Sequence, residues 1–588
     1  MVIGAWRLGL TGICLLLASR VCAGTCHLMS YGTLPVAMHG ERPTTVAEVN
    51  GKATRFILDT GAFYNMMPRA EALSLGLSPR PAPDGFRLAG VGGATFAKLA
   101  LLKDFHILGT TVDHVWFVVG GTDSGHGLLG ANLLDLGDLE IDLANGKMTL
   151  FRTHGCRKSE LAYWTKGGKS DVADTEPSGN VNDRRTFLKV TIDGKRVRAV
   201  LDSGAYATVL SRDAAKRIGI DLDGPGVKAG RLGFGIGARS IRTWTVPIDS
   251  FSVGTETIRH SQMQVIDGSL GNGDTDMLLG VDFLLAHHVF IANSQRKMYF
   301  TYNGGRVFTL AKAPEDGNAP AAGTATDTAG AGLATAGDYA LRGEAHLSRG
   351  ELDAAVDDLG KAIAMAPDKA AYYLSRARAY AVQKRQDAAR ADLDKSLSLD
   401  PKDTDALLLR AELRLSHHDR TGAATDVAAA SALAVGGSPQ ARLIASLDMR
   451  LGQPAQAIPL LDDWIRVHED DARLGLALNV RCLASGLSNQ TLDQALRDCR
   501  KAIRRDGKKP NYLESLGLVQ LRLGHYAKSI KAYDQAVAKM PRSAWSWYGL
   551  GLAEIHSGHA ATGNADLAGA RALAPGIDAT AARFGLHP

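Results

Sequence analysis

The chain has 588 residues, too many for one hydrophobic core, and roughly three to five domains are expected. With 45% apolar and 22% charged residues its bulk is globular rather than disordered. The 67 Lys and Arg against 61 Asp and Glu leave a formal charge of only +6, scattered along the sequence, which excludes the electrostatic footprint of a nucleic-acid binder.

Residues 1–23 carry one early cation, Arg7, an apolar run from Leu8 to Ala18, and the ending Val21-Cys22-Ala23. This pattern predicts a secretory signal peptide cut near Ala23 or Gly24, and a periplasmic or secreted protein. The run is shorter than the roughly 20 residues that cross a bilayer, so no stable membrane span is expected after cleavage. Of the six cysteines, Cys22 and Cys26 form the only closely spaced pair and lack a second pair of ligands; no metal and no cofactor is implied.

Up to about residue 305 the chain is rich in Gly, Val, Thr and short alternating runs, and it repeats itself. Asn50-Gly51-Lys52 followed by Arg55-Phe56-Ile57-Leu58-Asp59-Thr60-Gly61-Ala62 matches Asp193-Gly194-Lys195 followed by Arg198-Ala199-Val200-Leu201-Asp202-Ser203-Gly204-Ala205, at a constant offset of 143. Leu128-Leu129-Gly130 matches Leu278-Leu279-Gly280 at an offset of 150. Each unit opens on a hairpin signal, runs into an apolar strand ending in Asp, and closes on a further strand. The units are expected at 45–155 and 185–310, with a polar connection at 156–184. His287-His288, after an apolar run, is expected at a surface or strand edge. Cys156 is expected in a disulfide rather than as a nucleophile.

Residues 311–336 are rich in Ala, Gly, Thr and Pro and are expected to be a flexible linker. From 337 to 577 the composition turns to Ala, Leu, Arg and Asp with a 34-residue period. Tyr339, Gly343, Ala355, Leu359, Ala362 and Pro367 recur as Tyr373, Ala377, Ala389, Leu393, Ser396 and Pro401, and again as Trp547, Gly551, Gly563, Leu567, Ala570 and Pro575. The pattern resembles the tetratricopeptide repeat, in about seven copies that degenerate between 404 and 510. Aligning Ala495, Cys499 and Ala502 with second-helix positions, and Cys482 with the small first-helix position, puts the two thiols where the helices approach most closely, a disulfide candidate; the alternative is that both are small buried apolar side chains.

The two Asp loops with their Leu-Leu-Gly partners resemble the active-site loops of retropepsin-like aspartic proteases. The Gly-x-Asp/Asn endings are present as Gly130-Ala131-Asn132 and Gly280-Val281-Asp282. The resemblance implies an all-β, bilobal pseudo-dimer followed by an all-α solenoid. Two carboxylates about 3 Å apart cannot both ionise, so Asp59 and Asp202 would share a proton and split water on a peptide bond. Thr60 and Ser203 would tie the loops together, and Gly61 and Gly204 would allow close approach. Leu88 to Ala94, with Gly90, Gly92 and Gly93, and Leu232 to Ala238, with Gly233, Gly235 and Gly237, would be substrate-covering flaps. The second also loosely fits a dinucleotide loop, but Ser240 to Pro247 alternates like a strand instead of opening a helix. A peptide or protein substrate and a protein partner on the solenoid's concave face are the implied partners. A peptide-binding adaptor without catalysis is the alternative reading. Separable domains are expected, because the linker is too polar and small to carry an interface.

Overall fold

Asn50 and Gly51 take φ of +50° and +76°, and Asp193 and Gly194 take +47° and +75°. These left-handed pairs are what a two-residue type I′ turn requires, and Asn-Gly and Asp-Gly supply them at least cost. Arg42–Val49 therefore folds back on Lys52–Leu58, and Phe187–Ile192 on Lys195–Leu201, each as a tight antiparallel hairpin. The computed structural model describes residues 26–121, 125–180, 182–230, 233, 241–270, 273–305, 307–310 and 334–588. The expected signal peptide at 1–23, most of the expected linker at 311–336, and Gly235 and Gly237 lie outside the described residues.

In each unit the strand that ends in the motif Asp pairs in parallel with the Leu-Leu-Gly strand. Leu128 lies opposite Ile57 and Leu129 opposite Leu58; Leu278 lies opposite Val200 and Leu279 opposite Leu201. Segments some 70 residues apart in sequence thus meet at the end of one sheet. Among the described residues the first unit forms an eight-stranded sheet, and the second belongs to a 14-stranded sheet that also takes in six strands lying between the two lobes. At the centre of those six, Asp138–Asp142 pairs antiparallel with His287–Ala292, and Glu140 lies opposite Phe290. Those two residues are each other's counterparts at the offset of 150, so the pair marks a local two-fold axis within one chain.

The first lobe begins earlier than residue 45. His27–Pro35 pairs with Lys147–His154, Ala37–His39 pairs with Arg42–Val49, and Cys26 is bonded to Cys156. The connection at 156–184 is likewise folded in: Asp171–Glu176 pairs with Lys297–Tyr302, and Leu161 and Ala162 are buried. His287 and His288 correct the surface expectation. The His287 ring is fully buried with Nδ1 on Phe283 O at 2.8 Å and Nε2 on the Glu256 carboxylate, while His288 stacks on Trp164 and reaches Glu140 at 2.9 Å. Both are satisfied because their strand lies in the middle of the inter-lobe sheet, not at an edge.

From Ala336–Arg349 to Ala560–Leu573, seven antiparallel helix pairs stack into a solenoid, closed by Ile577–Ala582. The small residues of the period are where paired helices touch: a Cβ on Gly551 would lie 2.6 Å from Gly563 O, and one on Gly343 2.8 Å from Leu359 Cγ. The periodicity also hides a polar ladder. Arg376 grips Asp392 at 2.7 and 2.8 Å, Arg410 grips Asp426 at 3.0 and 2.7 Å, and Arg481 grips Asp498 at 2.7 and 2.8 Å, each across one helix pair.

The solenoid does not hang free, which corrects the expectation of separable domains. Its first helix packs on the first lobe, with Ala345 buried in the same apolar core. Ser348 Oγ donates to Gly40 O at 2.7 Å, and a Cβ on Gly146 would lie 2.5 Å from Leu341 Cβ. The linker composition gave no hint because the described contacts come from the first repeat.

Cys482 and Cys499 are bonded, with Cα atoms 5.6 Å apart, across the pair formed by Leu474–Ser488 and Leu492–Asp506. Non-reducing peptide mapping of protein made in an oxidising compartment should recover both the 482–499 and the 26–156 linked peptides. Closing a loop of 17 residues contributes on the order of 3 kcal/mol, so Cys482→Ser with Cys499→Ser should lower solenoid stability by about that amount in denaturant unfolding.

Candidate active site

The two motif loops meet at the base of the groove between the lobes. Each Asp N–H donates to the carbonyl of the second Leu of its own Leu-Leu-Gly strand, Asp59 to Leu129 O and Asp202 to Leu279 O, both at 2.9 Å. Thr60 and Ser203 then exchange bonds across the interface. The Thr60 N–H donates to Ser203 Oγ and the Ser203 N–H to Thr60 Oγ1, both at 3.0 Å; Thr60 Oγ1 donates to Leu201 O at 2.8 Å and Ser203 Oγ to Leu58 O at 2.7 Å. Both hydroxyls are buried, so all four bonds are shielded from competing water.

This lock brings each carboxyl against the opposite loop's glycine. A Cβ on Gly61 would lie 2.2 Å from Asp202 Cγ, and one on Gly204 2.2 Å from Asp59 Cγ; no other residue fits either position. The carboxyls hydrogen-bond to each other. Burial, then the Asp202 charge and that hydrogen bond, push Asp59 well above the ordinary carboxylate range. Burial raises Asp202 too, but the hydrogen bond from Asp59, the N–H groups of Gly204 at 2.8 Å and Ala205 at 3.0 Å, and the Arg185 charge all favour its ionised form. The pair therefore shares one proton and carries one negative charge, and two backbone N–H groups are aimed at the Asp202 carboxylate.

A second layer pins the loops. Ala131 N–H donates to Ala62 O and Val281 N–H to Ala205 O, both at 2.8 Å, so the Gly-x-Asn and Gly-x-Asp endings sit under the motif loops. In the first lobe Asn65 Oδ1 accepts from Gly130 N–H, and in the second Thr208 Oγ1 accepts from Gly280 N–H, both at 3.0 Å. Thr208 in turn donates to Asp282 through its N–H at 2.9 Å and its hydroxyl at 2.6 Å. Asn65 and Thr208 escaped the sequence reading; they stand at equivalent positions of the duplication, but differ in residue type.

The cleft above the pair has a volume of about 810 Å³. Ile57, Met66 and Leu88 line it from the first lobe and Val209, Ile241 and Ile266 from the second. Of the expected flaps, the first is a hairpin of Arg87–Gly90 and Gly93–Phe96 with Val91-Gly92 at its tip. Gly90 lines the cleft, Gly92 is buried, Gly93 takes φ +96° at the turn, and Val91 packs against the second lobe's Ile241 and Leu270. For the second flap, Gly233 bonds Ile241 in both directions at 2.8 and 2.9 Å and lines the cleft. The solenoid contributes Pro439 and Arg473 to the lining of the same cleft, and Glu469 lies 3.8 Å from Arg69. Among the described residues no cluster of His, Cys, Asp or Glu is arranged to hold a metal ion.

A bilobal all-β fold with paired, hydroxyl-locked Asp loops defines a duplicated aspartic protease domain, here joined to a helical repeat solenoid. The aspartyl protease family model matches residues 45–133 and 188–283, and the tetratricopeptide repeat model matches 341–404, 487–544 and 514–579. The N-terminal part of the chain is thus a duplicated retropepsin-like aspartyl protease domain and the C-terminal part a tetratricopeptide solenoid. No curated protein matches the chain by sequence. Solved structures similar to the solenoid include YrrB, described as a tetratricopeptide protein with an unusual peptide-binding site, at 18% identity, 32% of this chain, 96% of that chain and a TM-score of 0.29. A tetratricopeptide repeat protein from Parabacteroides merdae matches at 15% identity over 42% of this chain and 98% of its own, with a TM-score of 0.31.

Two outcomes test the lock and the shared proton. Ser203→Ala removes one acceptor and one donor from buried backbone partners and should cost about 2–3 kcal/mol in denaturant unfolding. Asp59 is raised in the folded state, so it supports folding below its unfolded pKa of roughly 4 and that support is lost as pH rises through the folded value. Asp59→Asn should therefore raise the melting temperature relative to wild type at pH 7, and the difference should shrink toward pH 3.5.

Proposed function

We propose that this chain is an exported aspartic endopeptidase. The observation that carries the reading is the pair of carboxyls held together by the Thr60–Ser203 exchange at the base of an inter-lobe cleft. The ionised Asp202 takes a proton from a water while Asp59 donates its proton to the carbonyl oxygen of the scissile peptide. The resulting tetrahedral diol collapses as Asp202 passes its proton to the leaving nitrogen and Asp59 recovers its own from a diol hydroxyl. Atoms and charge balance, and the pair returns to its starting state.

The first flap, crossing to the second lobe, covers the peptide and excludes bulk water. The apolar side chains on both flanks favour apolar residues on either side of the cleaved bond. Bonded cysteines at 26 and 156 and at 482 and 499 support an oxidising compartment, in keeping with the signal-like residues 1–23 and a periplasmic or secreted location. The solenoid supports a protein-interaction role. The docking of its first repeat on the first lobe favours presentation of a partner beside the cleft over a loosely tethered adaptor.

Purified full-length protein incubated with an unfolded protein substrate across pH 3–8 tests the reading. Cleavage should fall as pH rises and the shared proton leaves. Asp59→Asn and Asp202→Asn should each reduce the rate by about 10³-fold or more. Retention of turnover in either variant sinks the dyad, and absence of cleavage at every pH favours a peptide-binding adaptor.

A further inference from the structure

The formal charge of +6 is spread thinly over most of the chain, but one helix of the solenoid concentrates it. Leu492–Asp506, the second helix of the disulfide-bonded pair, carries Arg497, Arg500, Lys501 and Arg504. Their spacing of i, i+3, i+4 and i+7 puts all four side chains on one stripe, and all four are exposed. The 34-residue period does not require them. At the equivalent positions the preceding helix pair has Pro459, Asp462, Asp463 and Arg466, the following pair has Lys531, Asp534, Gln535 and Ala538, and no other pair of the solenoid holds more than one cation there.

The fold does not balance them either. Among the described residues Arg500, Lys501 and Arg504 have no acidic partner. Like charges three and four residues apart on a helix repel, so the stripe weakens the helix that carries it. Arg504, in the last turn, gains from the helix dipole; Arg500 and Lys501 lie short of that turn. An anion laid along the stripe relieves the repulsion.

The stripe borders a depression of about 440 Å³ whose lining includes Ile465 and Leu478 from the two preceding helices, Pro454–Val467 and Leu474–Ser488. A relay of buried and half-buried groups fixes one end of the stripe. Arg481 grips Asp498, Asp498 Oδ1 accepts from Gln494 Nε2 at 2.8 Å, and Gln494 Oε1 accepts from Arg497 Nη2 at 2.7 Å. The partner that orients Arg497 is thus a neutral amide, which holds the guanidinium in place without cancelling its charge.

We propose that this stripe and depression dock an acidic segment of a protein partner, in which two or three Asp or Glu side chains lie along the cations and one neighbouring apolar side chain packs on Ile465 and Leu478. Arg497 to Arg504 spans about 10 Å of helix, the reach of three to four residues of extended chain, in which alternate side chains face the same way. An anionic lipid surface matches the charge but not the recess, which a protruding side chain fills. The inference rests on the protein-interaction role proposed for the solenoid and is independent of cleavage.

The test is a binding measurement on full-length protein carrying Asp59→Asn, which keeps turnover from consuming the probe. Two fluorescent peptides, one of alternating Glu and Ser around a central Leu and one with Gln in place of every Glu, are titrated at low salt and followed by anisotropy. The Glu peptide should bind about tenfold more tightly, and Arg500→Gln together with Lys501→Gln should bring the two peptides to within about twofold. That double variant should melt no lower than its parent, because both side chains are exposed and the repulsion along the stripe is relieved. Phosphatidylglycerol vesicles should leave the protein in the supernatant on co-sedimentation. A Glu-to-Gln ratio unchanged in the double variant places peptide binding elsewhere and overturns this site, while the interaction role of the solenoid stands. Binding of neither peptide, a double variant that melts lower and loses both peptides alike, or vesicle binding in place of a Glu preference each overturns the proposal.

Discussion

The reciprocal exchange between Thr60 and Ser203 is the contact on which the chemistry depends. Two carboxyls placed side by side in a dry site repel unless one is protonated, and nothing in their own chemistry would keep them together. Four buried bonds, two from backbone N–H groups and two from hydroxyls, hold the loops in one geometry whatever the charge state. Gly61 and Gly204 are its steric complement, since a side chain at either would occupy the space of the opposite carboxyl. The lock works because each loop is fixed from below by its Leu-Leu-Gly strand, through Asp59 N–H on Leu129 O and Asp202 N–H on Leu279 O.

Duplication supplies the symmetry, and divergence breaks it usefully. The axis through Glu140 and Phe290 relates two lobes that a homodimer would build from two chains. Yet the halves are unequal around the pair. Asp202 accepts from Gly204 and Ala205 and feels Arg185, whereas Asp59 has a backbone bond with Ala62 and feels Arg42. A symmetric dimer surrounds its two carboxyls identically; this chain surrounds them with different donors and charges. Asn65 and Thr208 show the same drift, with different side chains accepting the same loop N–H.

The solenoid combines rigidity with position. Its Arg–Asp ladder sits where an apolar contact would otherwise be expected, and each buried pair is costly to break singly although it contributes little net stability over a hydrophobic isostere. The first repeat fixes the angle at which the superhelix leaves the first lobe, and three to four repeats later that angle delivers Pro439 and Arg473 to the cleft and Glu469 to Arg69. A displacement at Ala345 would therefore be amplified at Arg473.

The sequence alone determined whatever is local or repeated. Asn50-Gly51 and Asp193-Gly194 specify their turns by backbone sterics, and the 34-residue period specifies helix pairs by the spacing of small residues. The twin Asp loops with their Leu-Leu-Gly partners specify a paired site because the same pattern occurs twice at nearly one offset. Cys482 and Cys499 were legible for the same reason, as repeat positions with known contacts. What the tertiary structure decided lies between units that share no pattern. His27–Pro35 joining the central sheet, His287 buried within it, the solenoid docked on the first lobe, and Arg42, Arg185 and Arg473 gathered around one cleft all follow from how large surfaces meet. Such contacts leave no periodicity, because they depend on the summed shape and charge of many residues distant in the chain, and a linker of Ala, Gly, Thr and Pro records only that two domains are joined.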